Sequence, residues 1–171
     1  MNKAVFLDRD GVINRVEPGK YVNKAEDFKV LPGVIGALKR LKKLGYLIII
    51  VTNQAGICLG KVTDQEVKAI HEHLKKGFEK FGIAIDAIYV CPDYSSDRKP
   101  KLGMFVKAIR DWNIDIKESY VIGDSLSDLV AADTLGCRSI LVKSPLSPTI
   151  AANLLEASKV IENETKNSNN R

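Results

Sequence analysis

Short apolar runs alternate along the chain with stretches in which apolar side chains recur every three or four positions. That alternation predicts βα units and a mainly parallel sheet. The first strand reads Ala4–Leu7 and stops at Asp8; a polar loop then continues to about Leu31. Pro32-Gly33 introduces a helix with Val34, Leu38, Leu41 and Leu44 on one face, and Gly45 closes it. Leu47–Val51 is apolar at every position, the pattern of a strand covered on both faces. Thr63 and Glu66 form a capping box that opens a second helix, with Val67, Ile70, Leu74, Phe78 and Phe81 as its apolar stripe. A third strand is expected over Asp86–Cys91, followed by a polar stretch from Pro92 to Lys101. A third helix then buries Phe105, Ile109 and Trp112. Tyr120–Ile122, a helix over Leu126–Leu135 and a strand over Ser139–Val142 complete the predicted core.

The predicted fold class is therefore α/β, a doubly wound, Rossmann-like sheet flanked by helices. Residues 1–161 form one domain, with a short helix beyond Pro148 and a last small strand near Val160. The polar, Asn-rich stretch from Glu162 to Arg171 is expected to fray. A chain of 171 residues has little room for a second core. The longest apolar run, Tyr46–Val51, is too short to cross a bilayer, so no membrane association is predicted. The charged Asp8, Arg9 and Asp10 follow the first apolar stretch too soon for a secretory signal. Cys58, Cys91 and Cys137 are odd in number, widely spaced and form no CxxC pair, which predicts a reducing compartment and hence the cytoplasm. The formal charge of +5 favours anionic partners in general. Much of it lies in clusters such as Lys39–Lys43 and Lys75-Lys76, on predicted solvated helix faces.

Right-handed crossovers bring the carboxyl ends of parallel strands to one edge, where such sheets bind ligands. Asp8-Arg9-Asp10-Gly11 follows the first strand and Thr52-Asn53-Gln54 the second. Arg98-Lys99-Pro100 precedes the third helix, and Gly123-Asp124 follows the fourth strand with Asp128 one helical turn later. Carboxylates facing one another call for a cation, and hard oxygen ligands suit Mg²⁺. Together with a lysine, a threonine and backbone amides, such an ion cradles a phosphoryl group, with a carboxylate as nucleophile. Each element has a plainer structural use: DxDG as a turn, Thr52-Asn53 as a strand end, Ser125 and Asp128 as a helix cap, Lys99 as a solvated charge. Their joint order along one sheet edge favours chemistry.

Asp8–Asn14, Thr52–Gly56, Arg98-Lys99-Pro100 and Gly123-Asp124-x-x-x-Asp128 resemble the four motifs of haloacid dehalogenase-like phosphatases. Within that superfamily the chain is similar to the D-glycero-D-manno-heptose 1,7-bisphosphate phosphatases and the histidinol-phosphate phosphatases. Tyr21-Val22, Phe28–Gly33, Gly56–Lys61 and Gly103-Met104 add to the likeness, which spans roughly Lys3 to Val142. The resemblance implies that Asp8 attacks phosphorus and that Asp10 acts as general acid and then base, a task suited to a raised pKa. It implies Mg²⁺ held by the Asp8 side chain, the Asp10 backbone carbonyl and Asp124. Thr52 and Asn53 would bind phosphoryl oxygens, as would Lys99. Arg98 would contact the substrate or its phosphate, and Asp128 would orient Lys99 or a metal-bound water. Gly11 would turn the backbone tightly enough to aim amides at the phosphate.

The chain departs from that subgroup in two places. Relatives carry a zinc loop, Cys-Pro-His followed by Cys-x-Cys; here Cys91 keeps the first position, whereas Asp93, Ser95 and Asp97 replace the other three ligands. One soft ligand of four cannot close a tetrahedral site, so no structural zinc is expected and ordinary hydrogen bonds must hold the shortened loop. Ser125 also stands where the heptose phosphatases commonly have a lysine. The gaps between motifs leave no room for a cap domain, which shifts substrate selection to the loops Glu17–Val22 and Ala55–Val62 or to another subunit. His71 and His73, two apart on a helix, point to different faces and are not expected to bind metal. Cys58 reads as a small loop residue, Trp112 as core and Lys61 as surface.

The expected activity is a Mg²⁺-dependent phosphomonoesterase working through an aspartyl-phosphate on a small sugar phosphate. D-glycero-D-manno-heptose 1,7-bisphosphate is the favoured substrate, and histidinol phosphate an alternative. The protein acting on it would be a monomer or small homo-oligomer. A nucleic-acid 3′-phosphate fits a basic, uncapped domain, but no basic aromatic stripe offers a stacking surface. A phosphoacceptor signalling module would combine similar residue types, yet would place its aspartate on a later strand.

Overall fold

The computed structural model describes residues 1–17, 19–95, 97–142 and 150–169. Six strands, β1 (Ala4–Leu7), β2 (Leu47–Asn53), β3 (Ala87–Cys91), β4 (Tyr120–Gly123), β5 (Arg138–Val142) and β6 (Ile150–Ala151), pair in the order β3-β2-β1-β4-β5-β6. All five pairings are parallel. Five helices accompany them: α1 (Val34–Lys43), α2 (Asp64–Glu79), α3 (Gly103–Trp112), α4 (Leu126–Leu135) and α5 (Leu154–Asn169). The order reverses between β1 and β4, and a crevice opens at such a switch point beyond the carboxyl ends of the strands.

Alternation along β1 divides the interior. Val5 and Leu7 face a core built with Leu38 and Leu41 of α1, Ile70 and Leu74 of α2, and Ala157 and Ile161 of α5. Ala4 and Phe6 face the other core, with Phe105 and Ala108 of α3 and Ala131 of α4. β1 is buried on both faces and paired on both edges, so Asp8 at its end rests on the most enclosed strand of the sheet.

The Thr63–Glu66 capping box forms as predicted: the Glu66 amide donates to Thr63 Oγ1 at 3.1 Å and the Thr63 amide donates to Glu66 Oε2 at 2.7 Å. Three expectations change. α2 ends at Glu79, so Phe81 lies past the buried stripe and is 48 % exposed, with the Lys39 ammonium 6.0 Å above its ring. The last strand is Ile150–Ala151, and Val160 lies within α5. The stretch expected to fray continues α5 to Asn169. Local propensity for helix is weak there, but Ile161 is fully buried, Glu162 pairs with Arg40 of α1, and Glu164 accepts from Tyr120. Tertiary contacts override propensity. Among the described residues the segment between β1 and β2 holds only a 3-10 turn (Ala25–Asp27) and α1, and that between β2 and β3 only α2, so no cap is inserted. None of the described helices is long and apolar enough to cross a membrane.

Candidate active site

The Asp8 amide extends the β1 ladder by donating to the Ile122 carbonyl at 3.0 Å, which sets its side chain beside the end of β4. The chain then turns sharply. The Arg9 carbonyl accepts from the amides of Ile13 and Asn14, and Gly11 adopts φ +83°. A side chain at Gly11 would both strain that backbone and place its Cβ 1.9 Å from Asp124 Oδ2. The first and fourth motifs are thus in contact.

Lys99 bridges the acidic groups. Its Nζ lies 3.0 Å from Asp8 Oδ1 and donates to Asp128 Oδ1 at 2.6 Å and to the Val51 carbonyl at 2.8 Å. Lys99 is only 3 % exposed. Burial alone would lower its pKa, but the two carboxylates outweigh that and hold it above the ordinary lysine range. Asp128 serves both readings of its position, because Oδ2 also accepts from the Ser125 hydroxyl at 2.6 Å and caps α4. A carboxylate oxygen from each of Asp8, Asp124 and Asp128 falls within 4.8 Å of the others. Lys99 is the cation facing them, so negative charge is in excess. Burial, together with Asp128 and Asp10, pushes Asp8 up to about 7 against the pull of Lys99. Asp124 is raised mainly by burial and by Asp128. A divalent cation bound by oxygen ligands fits this donor set and relieves its excess charge.

Asp10 belongs to a separate network. Its carboxylate accepts from Arg9 Nη2 at 2.7 Å, from Asn14 Nδ2 at 2.9 Å and from Gln54 Nε2 at 2.8 Å. Burial would raise its pKa, but Arg9, Asn14 and Gln54 together hold it below the ordinary carboxylate range. That reverses the raised value expected for an acid. The Asp10 side chain is also not in the acidic group around Lys99, which leaves its backbone carbonyl as the ligand the resemblance implied. Gln54 Nε2 donates in addition to Thr52 Oγ1 at 2.9 Å, tying the end of β2 to the turn after β1.

The Asn53 side chain clamps the backbone of Lys99. Its Oδ1 accepts from the Lys99 amide at 3.0 Å and its Nδ2 donates to the Lys99 carbonyl at 3.2 Å. The side chain therefore fixes the backbone that presents Lys99, which leaves the backbone of Asn53 as its group for a phosphoryl oxygen. Arg98 stacks on Tyr94, with its guanidinium carbon 4.6 Å from the ring centroid, and its Nη1 is buried without a partner. In the loop that replaces the zinc ligands, the Cys91 thiol donates to the Asp93 carbonyl at 3.3 Å, and Asp93 Oδ1 accepts from the Ser95 amide at 2.8 Å. The two loops expected to select substrate touch: a Cβ on Gly56 would meet Tyr21 Cδ1 at 2.7 Å. Beside them Arg15, Glu17, Lys20, Tyr21 and Lys29 border a recess of about 370 Å³.

Four residues escaped the sequence reading. Arg9, Asn14 and Gln54 lie inside the recognised motifs but carried no assigned role, and all three are buried polar groups. His71 of α2 is the fourth: Arg9 Nη1 and His71 Nε2 are 3.1 Å apart. It falls on the same stripe as Val67, Ile70 and Leu74, so its burial was readable from helical period alone.

The profile of the polynucleotide kinase 3 phosphatase family matches residues 3–136. The D-glycero-β-D-manno-heptose-1,7-bisphosphate 7-phosphatase of Haemophilus ducreyi is 44 % identical over 154 residues, which cover 83 % of this chain and 84 % of that one. Its counterpart in Haemophilus influenzae is 40 % identical over 141 residues, 77 % of this chain and 76 % of that one. The crystal structure of D,D-heptose 1,7-bisphosphate phosphatase from B. bronchiseptica, complexed with magnesium and phosphate, superposes with a TM-score of 0.86 at 29 % identity. It covers 95 % of this chain and 99 % of that one.

Proposed function

The chain belongs to the polynucleotide kinase 3 phosphatase family of haloacid dehalogenase-like phosphatases, and from that membership we propose that it removes a phosphate from D-glycero-D-manno-heptose 1,7-bisphosphate with Mg²⁺ as cofactor. The observation that carries the reading is the buried Lys99 held between Asp8 and Asp128, with Asp124 beside them. The Haemophilus relatives, whose names specify the 7-phosphatase activity, support the substrate. Asp8 and Asp124, with the Asp10 carbonyl, would hold the ion, whose charge would offset that of the acidic cluster facing the phosphoryl group.

Asp8 forms a bond to phosphorus as the ester P–O bond breaks. The electron pair leaves with the ester oxygen, which takes a proton from Asp10. Water then attacks the same phosphorus and returns a proton to Asp10, and the bond to Asp8 breaks to release phosphate. Lys99 and Thr52 bind phosphoryl oxygens, as do the amides of the Gly11 turn and the backbone at Asn53. At rest Asp10 is an anion held by Arg9, ready as base for the second half. The arriving phosphoryl group brings negative charge beside it and raises its proton affinity, so that Asp10 takes up a proton from solvent before the first half. Arg98, steadied on Tyr94, contacts the substrate or its phosphate through its guanidinium, and the Tyr21 and Gly56 loops complete the mouth. We place the enzyme in the cytoplasm, a reading its three free thiols support. The hydrogen-bonded loop at Cys91 works without zinc.

The purified protein with Mg²⁺ is expected to release phosphate from the 7-position of the heptose bisphosphate faster than from histidinol phosphate. EDTA and Asp8→Asn should each abolish the release. A duplex with a 3′-phosphate is the third substrate to compare, because the family profile bears that activity's name. Preference for the duplex end would reassign the substrate; no hydrolysis of any ester would end the proposal.

A further inference from the structure

The buried contact between Arg9 and the imidazole of His71 lies behind the acid–base carboxylate and is used by none of the steps above. Arg9 is 0 % exposed, and its guanidinium divides its donors among three elements. Nη2 holds Asp10 and donates to Gln54 Oε1 at 3.1 Å, Nε reaches Asp10 Oδ1 at 3.3 Å, and Nη1 is directed at His71 Nε2 at 3.1 Å. A guanidinium is planar and can only donate, so His71 Nε2 must accept and the imidazole proton must sit on Nδ1. His71 is 6 % exposed. Burial and the neighbouring arginine push its pKa down to about 3, which keeps it in the accepting form.

We propose that His71 is a positioning residue for the reaction: by accepting from Arg9 it fixes the plane of the guanidinium, and the guanidinium fixes the Asp10 carboxylate against the leaving oxygen. The inference rests on the assignment of Asp10 as acid and base. Without the acceptor, Nη1 has an unmet donor in a dry site, and the fork rotates to satisfy it. Because the fork is rigid, that rotation carries Asp10 with it. His71 stands on α2, directly after the loop that ends β2, so the same contact sets how that helix seats against the turn of the first motif.

The test compares His71→Leu, which has no acceptor, with His71→Gln, which keeps one at the same distance along the side chain. His71→Asn, whose amide stops one atom short, provides a polar variant should the leucine not fold. Single-turnover release of the alcohol is measured for two esters with Mg²⁺ present. One is the heptose bisphosphate, whose alkoxide needs a proton to leave; the other is p-nitrophenyl phosphate, whose leaving group departs as an anion. His71→Leu and His71→Asn should slow the sugar ester by about 10- to 100-fold with little change in KM, and the aryl ester much less. His71→Gln should recover most of the lost rate. Equal slowing of both esters, slowing of less than about twofold in folded His71→Leu or His71→Asn, or failure of folded His71→Gln to recover would each overturn the inference. Asp10→Asn separates the two layers. If it leaves the sugar ester turning over, the assignment of Asp10 itself is wrong; if it abolishes turnover while His71→Leu does not, only the role of His71 fails.

Discussion

Replacing Lys99 by methionine keeps the side chain's length and removes its charge from between Asp8 and Asp128. The attractions lost are about 6 kcal/mol at 2.6 Å and about 5.5 kcal/mol at 3.0 Å in an effective dielectric near 20. Much of that gross value offsets the cost of desolvating three buried charges. What remains when one member of such a group is removed is typically about 3–5 kcal/mol. Lys99→Met is therefore expected to lower the unfolding free energy by about 3–5 kcal/mol at pH 7.5 in EDTA, read from the midpoint of urea unfolding followed by circular dichroism. The loss should shrink at pH 4.5. With the ammonium gone, Asp8 and Asp124, already raised by burial against the pull of Lys99, have folded pKa values further above their unfolded ones. The folded state then binds protons that the unfolded state does not, and stability rises as pH falls. A loss below about 1 kcal/mol at pH 7.5, or one that grows on acidification, would refute the account of Lys99 as the charge that holds this site together.

Because Asp8 is pushed up to about 7 in the absence of a cation, Mg²⁺ must displace a proton below that pH. Its half-saturating concentration is expected to rise by about tenfold per unit of pH below 7, checked by calorimetry in buffers of different ionisation enthalpy. Gly11→Ala should strain the turn by about 1–3 kcal/mol and weaken Mg²⁺ binding by about tenfold, through the clash with Asp124; Mg²⁺ titration of activity reads the second effect. His71, with a folded pKa of about 3 against 6.5, is neutral in the folded state where the unfolded chain is protonated. It should add a slope of up to about 1.4 kcal/mol per pH unit as stability falls from pH 6.5 toward 3, and His71→Gln should lack that slope. The difference between the two urea-unfolding pH profiles measures it.

The sheet and the four segments at its edge were legible because both follow from local signals. Strand ends are marked by the first polar residue after an apolar run, and parallel winding brings those ends together. What escaped was everything decided across the fold. Asn53 reads as a phosphate ligand next to Thr52, and the further task of its side-chain amide, clamping the backbone of Lys99, depends on a partner that only the pairing of β2 with β3 supplies. Asp10 reads as a carboxylate to be raised, and the three donors that lower it come from the turn itself and from the end of β2. The helical end of α5 is held by Arg40 and Tyr120, far away in sequence, against a weak local preference. His71 was visible as a polar residue in an apolar stripe, and its partner was not.

All the chemistry gathers where the strands end, which leaves the opposite rim free of it. The exposed corner at Phe81-Gly82, between α2 and β3, contributes no group to the reaction and lies at the far end of α2 from the loop that helps form the mouth. A peptide tag or a fused reporter spliced into that corner, or new termini cut there by circular permutation, should leave turnover intact. The same graft in the Gly11 turn or beside Lys99 would silence the enzyme.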